Sequence, residues 1–176
     1  MAAVWSAFCS SHSASAQAPA PATPPVTQDA GAEIAALKKE IELIKGKLPD
    51  QSHAMKDVAY HFTNLWFAGQ KQNWPLAKFY LDETRSHLKW AVRIIPVRKV
   101  NGADLDLKAM LDGIDQTSLA SLQKTIDAKN QADFSTAYQQ TLNACYSCHA
   151  ATGKPFLRLH LPEQPEARII DFSPAE

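Results

Sequence analysis

The residues best suited by type and spacing to one chemistry are Cys145, Cys148 and His149, in the run Cys145-Tyr146-Ser147-Cys148-His149. On a helix, positions i, i+3 and i+4 share a face. Two thiols so placed can form thioethers to the two vinyl groups of one porphyrin. The imidazole that follows is placed to bind the iron through a ring nitrogen. The run is the C-x-x-C-H pattern of c-type haem attachment. It predicts one covalently bound haem c, held by Cys145 and Cys148, with His149 as the proximal iron ligand. Phe134, Tyr138 and Thr141 continue the same face toward the helix start. The attachment face is therefore also the stripe expected to face the core.

Other uses of two cysteines and a histidine fit less well. A zinc site needs further ligands at suitable spacing, and the chain has no second cysteine pair. A thioredoxin-type dithiol needs a strand before the motif and a βαβ setting, whereas the flanks read as helical. A disulfide between i and i+3 of a helix would be strained.

The elements that must position this motif are set out by the prolines. Four of the 11 prolines lie at positions 19 to 25 and four lie at or beyond Pro155. Only Pro75 and Pro96 fall between Gln51 and Lys154, a span that can therefore hold long helices. The first expected helix runs from about Ser52 to Gln70, with Met55, Val58, Ala59, Phe62, Leu65, Trp66 and Gly69 as its apolar stripe. The second starts at Pro75 and ends before Pro96, with Ala77, Leu81, Thr84, Leu88, Ala91 and Ile95 facing inward. The third region covers Leu105 to about Ala128, with stripes Leu107, Leu111, Ile114 and Leu119, Leu122, Ile126. The polar break at Asp115 to Ser118 suggests two capped shorter helices there. The fourth runs from about Gln131 to Thr152, ended by Gly153 and Pro155. Asn101-Gly102 and Asp112-Gly113 have the composition of hairpin turns, but their flanks read as helical.

Short connections favour antiparallel neighbours. The expected fold is all-α, an up-down-up-down four-helix bundle over 51–153. An extra helix precedes it at 32–48, where Ile34, Leu37, Ile41, Ile44 and Leu48 recur in heptad spacing. That periodicity serves equally a helix docked on its own domain and a short coiled coil joining protomers. Residues 154–176, with Pro162, Pro165 and Pro174, are expected as an extended tail. Residues 17–31 read as an Ala/Pro-rich linker. Residues 1–16 read as a secretory signal, an apolar run Ala2 to Phe8 followed by Ala14-Ser15-Ala16, although no Lys or Arg precedes the run. Cleavage there removes Cys9 and leaves two of the three cysteines.

The composition narrows the function. Lys plus Arg and Asp plus Glu each number 18 in 176 residues, so no excess of basic charge marks a nucleic-acid surface. No stretch approaches roughly 18 uninterrupted apolar residues, so no transmembrane segment is expected. Paired carboxylates and nucleophile–base motifs are not evident, which argues against an enzyme.

With this motif near the end of the last helix, the span from about Ser52 to Gly153 resembles the class II c-type cytochromes, the cytochrome c-prime type. The resemblance implies a four-helix bundle with the distal side of the haem facing the first helix. It departs from that family in its N-terminal heptad helix, in its long tail and in having no basic residue directly after His149; Lys154 and Arg158 lie further on. The sixth iron position then falls to Met55 or, alternatively, His61. Met55 lies about 30° from the centre of the first helix's stripe and His61 roughly 90° away, so periodicity favours Met55. His53, His87 and His160 are weaker candidates. A His/Met pair raises the reduction potential and suits electron transfer.

These readings predict an exported bacterial monohaem cytochrome that carries single electrons between periplasmic redox proteins. The alternative is a five-coordinate haem protein that binds nitric oxide or carbon monoxide, as scavenger or sensor. A third class is a haem-free helical interaction module whose functional part is residues 32–48, the same stretch through which a homo-oligomer would form.

Overall fold

The computed structural model describes residues 28–175. The signal over 1–16 and most of the linker over 17–31 lie outside the described residues. The described chain is mostly helical, with one small two-stranded sheet. It divides into two compact units at the Lys47–Leu48 junction.

The first unit contributes helix α1 (Gln28–Lys47), which starts four residues before the heptad stretch predicted at 32–48. Its seam residues Ile34, Leu37, Ile41 and Ile44 are 46–52% exposed. Among the described residues no helix is long and apolar enough to cross a membrane.

The second unit begins with α2 (Gln51–Gln70). Asp50 caps it, its carboxylate accepting from the Ser52 and His53 amides at 2.9 and 3.1 Å. This satisfies two of the donors that a helix start leaves unpaired. The Ser52 hydroxyl, and then the His53 side chain, hold Asp50 well below the usual carboxylate range. At the other end Gln72 takes a positive φ of 58°, and the Gln72 and Asn73 amides bond back to the Gly69 and Ala68 carbonyls. That reversal leads directly into α3 (Trp74–Ile94), where Asn73 caps and Pro75 sits in the first turn. The two helices pack antiparallel: Gln51 Nε2 donates to the Ala91 carbonyl at 3.0 Å, while the tight turn joins the opposite ends.

The buried face of α2 is Ala54, Val58, Phe62, Leu65, Ala68 and Gly69. This corrects the predicted stripe. Ala59 is exposed, and Met55 and Trp66 are half-buried. Asn64 is fully buried, its Oδ1 accepting from the Ala167 amide at 3.4 Å. Alanine at 54 and 68 is small enough to let helices approach, and its weak hydropathy hides the face in a reading that weighs large side chains.

Between Pro96 and Leu107 the chain forms a hairpin, β1 (Val97–Val100) and β2 (Ala103–Asp106), with Val97 opposite Asp106 and Val100 opposite Ala103. Its turn is Asn101-Gly102, both at positive φ (51° and 84°), the geometry of a two-residue type I′ turn. The helical reading of these flanks was therefore wrong. Four-residue strands that are half-exposed carry too few alternations to register as a period of two.

The next rod also differs from the two capped helices predicted. Helix α4 (Leu107–Ile114) passes through a π-helical turn (Asp115–Leu119) into α5 (Ala120–Asp127), with no side-chain cap at the join. The stripes Leu111–Ile114 and Leu119–Leu122 are separated by a step of five residues. One π turn absorbs the extra residue and keeps both stripes on the core side. Arg85 of α3 anchors it, donating to Asp115 at 2.8 Å and to Gln123 at 2.9 Å.

Helix α6 (Gln131–Ala151) closes the unit. It runs antiparallel to α2: Gln70 bonds Ser135, Trp66 stacks on Phe134, and Phe62 stacks on Tyr138 at 4.3 Å. The Tyr138 hydroxyl donates to the Phe62 carbonyl at 2.8 Å in the interior. Leu65, Leu81, Leu119, Leu122, Phe134 and Tyr138 form the centre of one core. The tail beyond α6 has no helix or strand among the described residues. It is pinned by buried Ala167 and Phe172 and by the bond from Asn73 Nδ2 to the Ser173 carbonyl at 2.8 Å.

Candidate functional site

The C-x-x-C-H run occupies the last two turns of α6. Asn130 starts that helix by accepting from the Asp133 amide. Buried Phe134, Tyr138 and Thr141 then fix its rotation, so the face of Cys145, Cys148 and His149 continues a face already committed to the core. The helix ends in a Schellman turn around Gly153, whose φ is +79°. The Gly153 amide bonds the Ala150 carbonyl at 3.1 Å and the Lys154 amide bonds the His149 carbonyl at 2.9 Å. The backbone of His149 is thus tied to the residue that begins the tail. Thr152 Oγ1 also donates to the His149 carbonyl at 2.9 Å, and the Tyr146 hydroxyl donates to the Pro155 carbonyl.

Both thiols are free and half-buried. Burial, and then the neighbouring Cys148, push the Cys145 thiol up to about 12. Burial also raises Cys148, while the Lys154 ammonium pulls it down. Burial, and then Lys154, lower the His149 imidazole, with the Leu157 backbone opposing them, so the ring is held toward its neutral form. His149 Nδ1 is buried and makes no hydrogen bond. Two thiols that burial raises and one imidazole that burial lowers, on a single face, could ligate a metal or form thioethers.

Two cations accompany them. Lys154 follows the Schellman turn, and its ammonium is destabilised by burial and by Arg98 of β1. Neither Lys154 nor Arg98 makes an ion pair among the described residues. Arg98 Nη2 donates to Gln51 Oε1 at 2.6 Å, and Arg98 Nε is buried without a partner. Through Gln51 and Arg98, the start of α2, the end of α3 and the hairpin meet at one end of the unit, and Arg98 acts on the Lys154 ammonium beyond the end of α6. Met55 lies one turn beyond Gln51 on α2, half-buried.

The other histidines fall elsewhere. His61 stacks on His87 of α3 at 4.8 Å and also contacts Tyr60 and Tyr80. His53 is exposed on the Asp50 cap, and His160 is exposed in the tail. Sequence reasoning missed Arg98 and Gln51, because the hairpin that carries Arg98 was itself unread. It also missed that His61, Glu83 and His87 gather at one place. The spacing of Glu83 and His87, i and i+4 on one helix, was the available signal.

No family profile matches this chain, and no curated protein or solved structure matches it either.

Proposed function

We propose that this chain is a monohaem c-type cytochrome, exported to the periplasm and carrying single electrons between redox proteins. The observation that carries the reading is the set of two free thiols and one neutral imidazole on the end of α6, next to two cations without carboxylate partners. The residues fit the group. Cys145 and Cys148 would each add S–H across a vinyl C=C, forming a C–S bond while the proton goes to the other vinyl carbon, which needs no oxidant. The unpaired nitrogens of His149 and Arg98 are buried polar atoms that call for partners. His149 would bind the iron, and Arg98 and Lys154 would meet the two propionates. When bound, haem c supplies a one-electron ferric/ferrous couple. Arg98 and Lys154 would balance its propionate charge.

Taking α4, the π turn and α5 as one rod, we read α2, α3, that rod and α6 as the up-down-up-down bundle of the class II type. Met55 is the proposed sixth ligand, because Gln51 and Arg98 bring its end of α2 to the motif end, whereas the His61 ring is engaged with α3. The protein matured with c-type haem machinery should give a sharp low-spin ferrous spectrum that carbon monoxide leaves unchanged. Met55→Ala should convert it to a high-spin spectrum that carbon monoxide shifts. A parent that is already high-spin and shifted by carbon monoxide would replace electron transfer with the gas-binding reading. A Met55→Ala spectrum identical to the parent's removes Met55 from the iron.

The exposed seam of α1 supports self-association of this chain. Sedimentation should show a dimer or larger assembly for the full chain and a smaller species for a Leu37→Lys, Ile41→Lys variant. Equal masses for the two would end that proposal.

A further inference from the structure

The geometry points to a second metal site, away from the C-x-x-C-H motif, in which His61, His87 and Glu83 bind a zinc-class divalent cation between α2 and α3. Each helix supplies a carboxylate–histidine pair one turn apart, Asp57 and His61 on α2, Glu83 and His87 on α3. One ligating atom each from His61, Glu83 and His87 lies within 4.8 Å of the others. Glu83 Oε2 is 4.0 Å from His61 Nε2, and Asp57 Oδ2 is 3.8 Å from His87 Nε2. These gaps are too long for hydrogen bonds. Ligands around a tetrahedral zinc stand about 3.3 Å apart, given zinc–ligand bonds of about 2.0–2.1 Å. Small side-chain rotations close the difference.

The tautomer of His87 is already set for binding. Its Nδ1 lies 2.9 Å from the Glu83 carbonyl, which can only accept, so Nδ1 carries the hydrogen and Nε2 keeps its lone pair. A histidine ligand held through its other ring nitrogen by a backbone carbonyl is the usual supporting arrangement at metal sites. His61 Nδ1 is buried with no partner. Neither Asp57 nor Glu83 pairs with a lysine or arginine among the described residues, so the cluster carries negative charge without a fixed cation. A cleft of about 530 Å³, lined by Lys56, Asp57, Tyr60, His61, His87 and Glu166, opens beside it. Two imidazoles and a carboxylate select zinc, copper or nickel over calcium or magnesium, which prefer all-oxygen shells. None of these ligands belongs to the motif end, so the site stands whether or not Cys145 and Cys148 carry haem.

The test is calorimetric titration of the full mature chain with Zn²⁺, with metal content measured after dialysis. The parent should hold one more zinc than His61→Gln or His87→Gln, and each variant should weaken that binding at least tenfold. His160→Gln should bind as the parent does. Circular dichroism checks that the variants fold. Glu83→Gln keeps the side-chain shape and should also lose affinity tenfold or more, which keeps the test decisive if a histidine variant misfolds. Because parent and variants share Cys145 and Cys148, any zinc held by those thiols cancels in the comparison. A parent that binds no zinc at this site, or folded variants that bind it as the parent does, would overturn the proposal.

Discussion

Replacing Cys148 with Ala should abolish haem that survives denaturation, or leave at most a small remainder held through Cys145, and replacing both cysteines should leave none. The readout is haem-linked peroxidase staining of the chain on a denaturing gel, with the parent as reference. The expectation follows from placement. Cys145 and Cys148 lie one turn apart on α6, and both are free thiols. Burial pushes Cys145 up to about 12, so at neutral pH it is a thiol and not a nucleophilic thiolate. Burial raises Cys148 as well, with Lys154 opposing. Spontaneous attachment is therefore disfavoured, and the experiment belongs in a host that has the c-type attachment machinery. Loss of the group should also destabilise the fold, because a ligand that binds only the native state adds to its stability. Undiminished staining in the double variant would remove the attachment claim. An unstained parent would remove haem altogether and leave the helical interaction module as the better reading.

What was legible in the sequence was whatever a single helix can encode. The proline spacing gave α3 its start and end to within two residues, because proline acts locally on its own backbone. Gly153 marked the end of α6 for the same reason. The motif was legible because its three residues share one helical face. The places where reading failed all depend on the partner across the core. The hairpin at Val97–Asp106 is held by ladder bonds between half-exposed strands, and its Asn101-Gly102 turn was outweighed by flanks too short to alternate. The polar run at Asp115 to Ser118 looked like a cap, but Arg85 of another helix takes Asp115, and the backbone continues as a π turn. Arg98 joins the candidate site through Gln51 and Lys154, which lie 47 residues before it and well after it in the chain. His61 and His87 meet only because the Gln72 reversal folds α3 back on α2.

The close approach of the end of α2 to the start of α6 rests on Gly69. A Cβ at Gly69 would collide with the ring of Phe134. Phe134 is fully buried, with Trp66, Trp74 and Tyr138 rings around it at 6.0–6.1 Å, so its ring has little room to retreat. In an unconstrained helix interior, glycine to alanine is favourable by about 1 kcal/mol. Overpacking a full core costs about 1–3 kcal/mol. The overlap is severe, so the upper end applies and Gly69→Ala should be net destabilising by about 2 kcal/mol. Gly113 in α4 supplies the contrast: a Cβ there meets nothing within 4 Å, so Gly113→Ala should stabilise by up to about 1 kcal/mol. Urea denaturation of the two variants should therefore shift in opposite directions from the parent. Gly69→Ala with Phe134→Leu should recover part of the loss, because the smaller side chain makes room for the methyl group. Equal stabilisation by both alanines would mean that α2 and α6 stand further apart.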